Sequence, residues 1–190
     1  MSSRQPNPVT SREPKEPQLH TITRLSADDF RDRVKGLADV LVSVVADGSS
    51  LGFLAPFDQD AAMAWWHAQQ PAVADGSLVV WAASASEGIT GTVSLVLENT
   101  PNGRHRAKIA KLMVHRDARG RGLGRALLTT AERAATQAGA TLLMLDTVTG
   151  SAAEQLYRAA GWTRYGIVPD YAADPTGSLE DCSFFYKQLT

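Results

Sequence analysis

The chain has 190 residues, 19 Lys and Arg against 20 Asp and Glu, a formal net charge of −1 and one cysteine. The length fits one domain, or one domain with a tail, and the balanced charge excludes the basic footprint of a nucleic-acid or anionic-membrane binder. A lone cysteine excludes a disulfide framework and any metal site built on several thiolates, and no apolar run of roughly 18 residues or leading apolar segment marks a membrane span or a secretory signal. The expectation is a cytoplasmic chain with no membrane and no nucleic-acid partner.

Residues 1–18 carry Pro6, Pro8, Pro14 and Pro17 among Ser, Arg, Glu and Lys. They read as a flexible tail, because such a segment buries too little apolar surface to offset its ordering entropy. Residues 19–190 read as one globular domain. Leu19–Leu25 reads as a first strand. Ser26, Asp28 and Asp29 open a helix whose stripe Phe30, Val34, Leu37, Leu41 and Val44 runs to Asp47-Gly48. An apolar loop covers Ser49–Phe57. Asp58 caps a second helix, with Trp65 and Trp66, that stops near Pro71. Ser77–Ala85 and Ile89–Glu98 form a hairpin, and His105–His115 is a third strand of that run. Gly124–Ala138 is a helix capped by Gly139, and Thr141–Val148 is a strand buried on both faces. Ser151 and Glu154 make a capping box for a helix ending at Gly161. Two last strands, Trp162–Tyr171 and Leu179–Leu189, flank a type I turn at Asp174-Pro175-Thr176-Gly177. The order predicts a mixed α/β sandwich rather than a doubly wound sheet.

The chemistry concentrates in Lys111–Glu132, where a strand enters a loop with Gly120, Gly122 and Gly124 and then a helix. Glycines let backbone approach a ligand, and the free amides at a helix N-terminus favour phosphate. Arg119, Arg121 and Arg125 add positive charge. A Walker loop fails because Gly124 is followed by Arg125-Ala126 rather than Lys-Ser/Thr. A dinucleotide fingerprint fails because position 125 is Arg. Arg119-Gly120-Arg121-Gly122-Leu123-Gly124 fits the remaining pattern, Arg/Gln-x-x-Gly-x-Gly/Ala.

That loop resembles the acetyl-CoA loop of the GNAT superfamily of N-acetyltransferases. The preceding strand "KLMVH" and the later "AAEQLYRAAGW" are similar to the superfamily's signatures in the same order. "LDTVTG" and "GIVPDYAADPTGSLEDCSFFYK" resemble the tabtoxin-resistance acetyltransferase branch. The resemblance implies a GNAT-type mixed, mostly antiparallel twisted sheet, a splay between central strands, and helices on both faces. It implies that backbone groups of Leu112, Met113 and Val114 take the pantetheine arm. Arg119, Gly120, Arg121, Gly122, Leu123, Gly124 and Arg125 would hold the pyrophosphate, with Ser151 reaching the cofactor from the next helix. Tyr157 would protonate the leaving thiolate. The co-substrate would be acetyl-CoA, with no metal. The partner would be a small-molecule amine, or alternatively a protein lysine or N-terminus. A non-catalytic CoA-binding module and a homodimer stay open.

An attacking amine must be neutral, and at a pKa of about 10.4 the neutral form at pH 7 lies about 4.6 kcal/mol uphill. A carboxylate near the reacting centre relieves this. Asp146 is the first candidate and Glu98 the second. Related sequences often carry an acid where this chain reads His105-Arg106-Ala107-Lys108. Cys182 reads as a packed core thiol, which favours direct transfer. Phe53, Trp65 and Trp66 read as core or as walls of an acceptor pocket.

Overall fold

The computed structural model describes residues 20–190. The tail expected over residues 1–18, and Leu19 at the head of the first predicted strand, lie outside them. The described residues form strands β1 (Thr21–Arg24), β2 (Leu78–Ala85), β3 (Gly88–Leu97), β4 (Arg106–Val114), β5 (Leu142–Val148), β6 (Thr163–Ala173) and β7 (Leu179–Gln188). The helices are α1 (Ala27–Asp32), α2 (Val34–Ala46), α3 (Gln59–His67), α4 (Gln70–Ala74), α5 (Leu123–Gln137) and α6 (Ala152–Ala159). The strands make one sheet in the order β1-β2-β3-β4-β5-β7-β6, in which β4 and β5 are parallel and every other pair is antiparallel. The mixed, mostly antiparallel architecture with helices on both faces is the one the sequence predicts.

Period-2 alternation divides the side chains of β2, β3 and β4 between two cores, and β5 and β7 give one face to the first. Val93, Leu95, Ile109, Leu143, Leu145 and Phe185 face α5 and α6, where Leu127, Leu128 and Ala131 meet them. Leu78, Val80, Ala82 and Met113 face α1–α4, where Phe30, Leu37, Leu41 and Trp66 are fully buried. Lys108, Met144, Asp146 and Phe184, one step out of phase with the first core, are thereby turned to the second face.

Three local features differ from the sequence reading. The first predicted helix is two, broken at Arg33, although its apolar stripe runs through both. Pro71 does not stop α3. That helix ends at His67, and Pro71 sits in the first turn of α4, where its missing N–H has no partner to lose. The box at Ser151 is half formed. Ser151 Oγ accepts from the Glu154 N–H at 3.1 Å, but the Glu154 carboxylate accepts from the Gly150 N–H instead of that of Ser151. Arg158 at 2.8 Å and Arg164 at 3.1 Å draw it under the sheet end, where Ser183 also meets it. The Asp174 turn forms as read, with the Gly177 N–H donating to the Asp174 carbonyl at 3.0 Å.

Candidate active site

β4 and β5 pair only where Arg106, Ala107 and Lys108 stand beside Leu142, Leu143 and Met144. Beyond that point β4 keeps to β3 while β5 keeps to β7, and the two strands diverge. A bulge sharpens the divergence. Thr92 faces Met113 and Ser94 faces Ala110, so Lys111 and Leu112 together stand opposite Val93. Lys111 takes the left-handed conformation there, with φ at 47°.

The opening is a cleft of about 930 Å³ that passes through the sheet. On the α5–α6 side its wall is Gly120, Gly122, Gly124, Ser151, Leu156 and Tyr157. On the other side it is Lys108, Lys111, Asp146 and Cys182. Ser49–Gly52 and the β6–β7 hairpin close its far end together. Ser50 Oγ donates to the Ala173 carbonyl at 2.9 Å, and the Ala55 N–H donates to the Pro175 carbonyl at 2.8 Å.

Gly120 and Gly122 carry φ of 77° and 78°, and a Cβ on either would meet nothing within 4 Å. Their hydrogens therefore border open space against the start of α5, whose N-cap, Gly122, supplies no side-chain bond to the first turn. That is the geometry a phosphate needs. Leu112, Met113, Val114 and Leu123 line the same cleft, and the edge of β4 past Lys108 is free of ladder pairing toward β5. An extended arm carrying amides fits that edge.

The cations of the loop divide. Arg119 lines the cleft, but its Nε donates to the Val114 carbonyl at 3.0 Å and its guanidinium pairs with Asp47 at 3.1 Å. It pins the loop to the end of α2. Arg121 and Arg125 stand outside the cleft wall. Asp47, read from the sequence only as a helix end, thus holds the loop. Nothing in its local pattern marks that role, because Arg119 lies far along the chain. Ser151 lines the cleft with its hydroxyl engaged as a cap and 3.4 Å from Thr147 Oγ1.

Tyr157 is 6% exposed, with its ring against Trp162 and Phe185 at centroid distances of 6.0 and 6.2 Å. Burial, and then the charge of Asp146, push its phenol well above the ordinary range, so it carries its proton throughout the working pH range. Asp146 lies on the cleft wall with Oδ1 2.7 Å from Lys108 Nζ and Oδ2 3.9 Å from Cys182 Sγ. The Cys182 thiol is pushed up to about 11, first by burial and then by Asp146. Glu98 is off the cleft. Its carboxylate accepts from the Thr100 N–H at 2.9 Å and the Thr100 hydroxyl at 3.0 Å, bonds that hold it below the ordinary range. It lines a second recess, which shares Lys108 and Asp146 with the cleft. The structure therefore brings Tyr157, Asp146 and the loop together and leaves Glu98 outside.

The aromatic residues separate as well. Trp66 is fully buried, edge-on to Phe30. Phe53 and Trp65 do not line the cleft; they flank the Lys111 ammonium at 5.1 and 5.0 Å. Among the described residues no helix is long and apolar enough to cross a membrane.

Residues 33–162 match the model of the acetyltransferase (GNAT) family. Solved structures share the fold at low identity. One is yncA from Salmonella typhimurium, solved with its cofactor acetyl-CoA, at 21% identity and a TM-score of 0.71 over 90% of this chain and 94% of that one. An N-acetyltransferase from Staphylococcus aureus Mu50 gives 14% and 0.74 over 90% and 99%. A ribosomal-protein-alanine N-acetyltransferase from Brucella melitensis gives 21% and 0.70 over 89% and 99%.

Proposed function

Since this chain belongs to the acetyltransferase (GNAT) family and is an acyltransferase that uses acetyl-CoA, we propose that it acetylates the primary amine of a small molecule by direct attack in a ternary complex. The observation that carries this reading is the cleft through the sheet, with a phosphate-sized backbone cradle on one side and a carboxylate on the other. Within the family we place the chain beside the tabtoxin-resistance acetyltransferases, on the strength of "LDTVTG" and the tail from Gly166.

Acetyl-CoA supplies an activated acyl thioester. Gly120, Gly122, Leu123 and Gly124 receive its pyrophosphate through backbone N–H groups. Arg119 holds their loop in place, and Arg121 and Arg125 contribute field rather than contact. The free edge of β4 at Leu112, Met113 and Val114 takes the pantetheine amides, and one of its N–H groups polarises the thioester carbonyl, an effect worth a few kcal/mol. The amine nitrogen bonds to the carbonyl carbon and the C–S bond breaks. Of the two protons an ammonium gives up, one leaves toward Asp146 before attack and one goes with the thiolate. Tyr157 gives its proton to that sulfur and takes the second ammonium proton in its place. Ser151 keeps the start of α6 beside it. Glu98, which is solvated and of low basicity, is the weaker candidate for base. The tie between Ser49–Phe57 and the β6–β7 hairpin closes the far end of the cleft, which suits a small molecule better than a peptide chain.

The test is calorimetric titration with acetyl-CoA, followed by thiol release on a panel of amines. Saturable binding with thiol release on at least one amine is expected. Tight binding with no release on any amine would return the protein to a CoA-binding module.

A further inference from the structure

Lys108 and Asp146 stand where the two hollows of the second face meet, and they line both. The smaller recess, of about 460 Å³, lies over β3, β4, β5, β7 and β6. Its walls are of two kinds. Met144, Tyr165 and Phe184 give an apolar and aromatic side, with the Tyr165 and Phe184 rings 6.1 Å apart. Arg106 and Lys108 with Asp146 and Glu98 give a charged side, two cations against two carboxylates. Arg106 is held loosely, 3.8 Å from Glu98 and beyond hydrogen-bond distance. Lys108 sits 2.7 Å from Asp146, and its side chain is 54% exposed.

A plain cationic amine meets an ammonium at this junction. Its charge and that of Lys108 then compete for one carboxylate, and like charges at contact range repel. A molecule carrying both signs removes the conflict. Its ammonium takes Asp146, its acid group takes Lys108 and the neighbouring Arg106, and the resident ion pair is exchanged for two others without change in net charge. We propose that this recess seats the acceptor, and that the acceptor is a small zwitterion: a primary amine close to a carboxylate, with an apolar side chain against Met144, Tyr165 and Phe184. The inference rests on the acetyltransfer reading, and the amine bound at Asp146 stands at the mouth of the cleft.

The probes are leucine, methionine and phenylalanine, each with its methyl ester and its primary amide. The ester and amide keep the amine and lose the negative charge, and the amide also mimics a peptide N-terminus. Binding is read by calorimetry on the full chain saturated with CoA, where no chemistry occurs. Transfer is read separately as thiol release from acetyl-CoA. At least one free acid should bind and react tenfold or more better than its ester, through KM rather than kcat. Lys108→Gln should bring that ratio close to one, Lys108→Glu should invert it, and Lys108→Arg should restore it. Equal response to acid and ester, no binding by any acid, or a ratio unchanged in Lys108→Gln would overturn the proposal. Thiol release on esters and acids alike would leave acetyltransfer standing and this recess refuted. Acid-selective binding without thiol release on any amine would support the recess and refute transfer.

Discussion

Lys111 Nζ donates to the Leu51 carbonyl oxygen at 2.7 Å, and the same ammonium lies between the rings of Phe53 and Trp65. A residue of the central sheet is thus fastened to the loop that closes the cleft. Burial draws its pKa below the ordinary lysine value, and Asp146 partly opposes that shift. Lys111→Met should free the loop. The expected result is a loss of about 1–2 kcal/mol from the cation–π and hydrogen-bond contacts, with faster limited proteolysis inside residues 49–57. Urea unfolding and a proteolysis time course give the two readouts; unchanged cleavage would mean the hairpin tie suffices alone.

Tyr157→Phe separates proton donation from packing, since the ring keeps its place against Trp162 and Phe185. We expect kcat to fall about 10²-fold with acetyl-CoA affinity unchanged. Because burial raises the phenol, the native pH–rate profile should show no alkaline limb from this residue up to pH 10. A full native rate in the Phe variant would remove Tyr157 from the mechanism.

Cys182 lies on the cleft wall, but burial and then Asp146 push its thiol up to about 11, so it holds its proton at neutral pH. The thiolate is the nucleophile in acyl-enzyme chemistry, so the native protein should show neither a burst of thiol release without acceptor nor a mass gain of one acetyl group. Cys182→Ala should retain steady-state turnover within about threefold, since a buried thiol behaves as a small apolar group. Loss of all turnover in that variant would point to a covalent route.

Glu154 supports the end of β5 and the start of α6 through Gly150, Arg158, Arg164 and Ser183. Its pKa is lowered, first by the Gly150 N–H and next by Arg158. The folded state therefore binds its proton less readily than the unfolded state does. The resulting stability is complete above the unfolded value near 4.5 and fades as pH falls through the lowered one. Glu154→Gln should cost about 2 kcal/mol at pH 7, less than the 3–5 of a fully buried pair, because Arg158 and Arg164 stay partly in water. The gap between native and variant should narrow as pH falls below 4.5 in urea titrations; a constant gap would assign the effect to packing.

The elements legible in the sequence are those written locally. Ser26 with Asp29, Asp58, Ser151 and Asp174 each bond backbone within four residues, and each forms at the position read. The loop from Arg119 to Gly124 shows itself through glycine spacing. The features that stayed hidden depend on partners far along the chain. Arg119 reaches Asp47, Lys111 reaches Leu51, and Lys108 reaches Asp146 from the neighbouring strand. None leaves a periodic trace. Asp146 was identifiable as a carboxylate on a buried strand, but its pairing with Lys108 follows from the parallel register of β4 and β5. The break at Arg33 escaped for a different reason: the apolar stripe continues across it, so periodicity alone sees one helix.

The short parallel ladder between Arg106–Lys108 and Leu142–Met144 has a thermodynamic consequence. Among the described residues it is the only strand pairing that joins β1–β4 to β5–β7. On the proposed reading, a donor lodged along the free edge of β4 would act as a guest strand, bracing one half of the molecule against the other. Folded population then follows donor supply. At a hundredfold excess over Kd the gain is about 2.7 kcal/mol, so the melting temperature should climb with CoA concentration, and the enzyme would outlast heat or proteases best when it has substrate to spend.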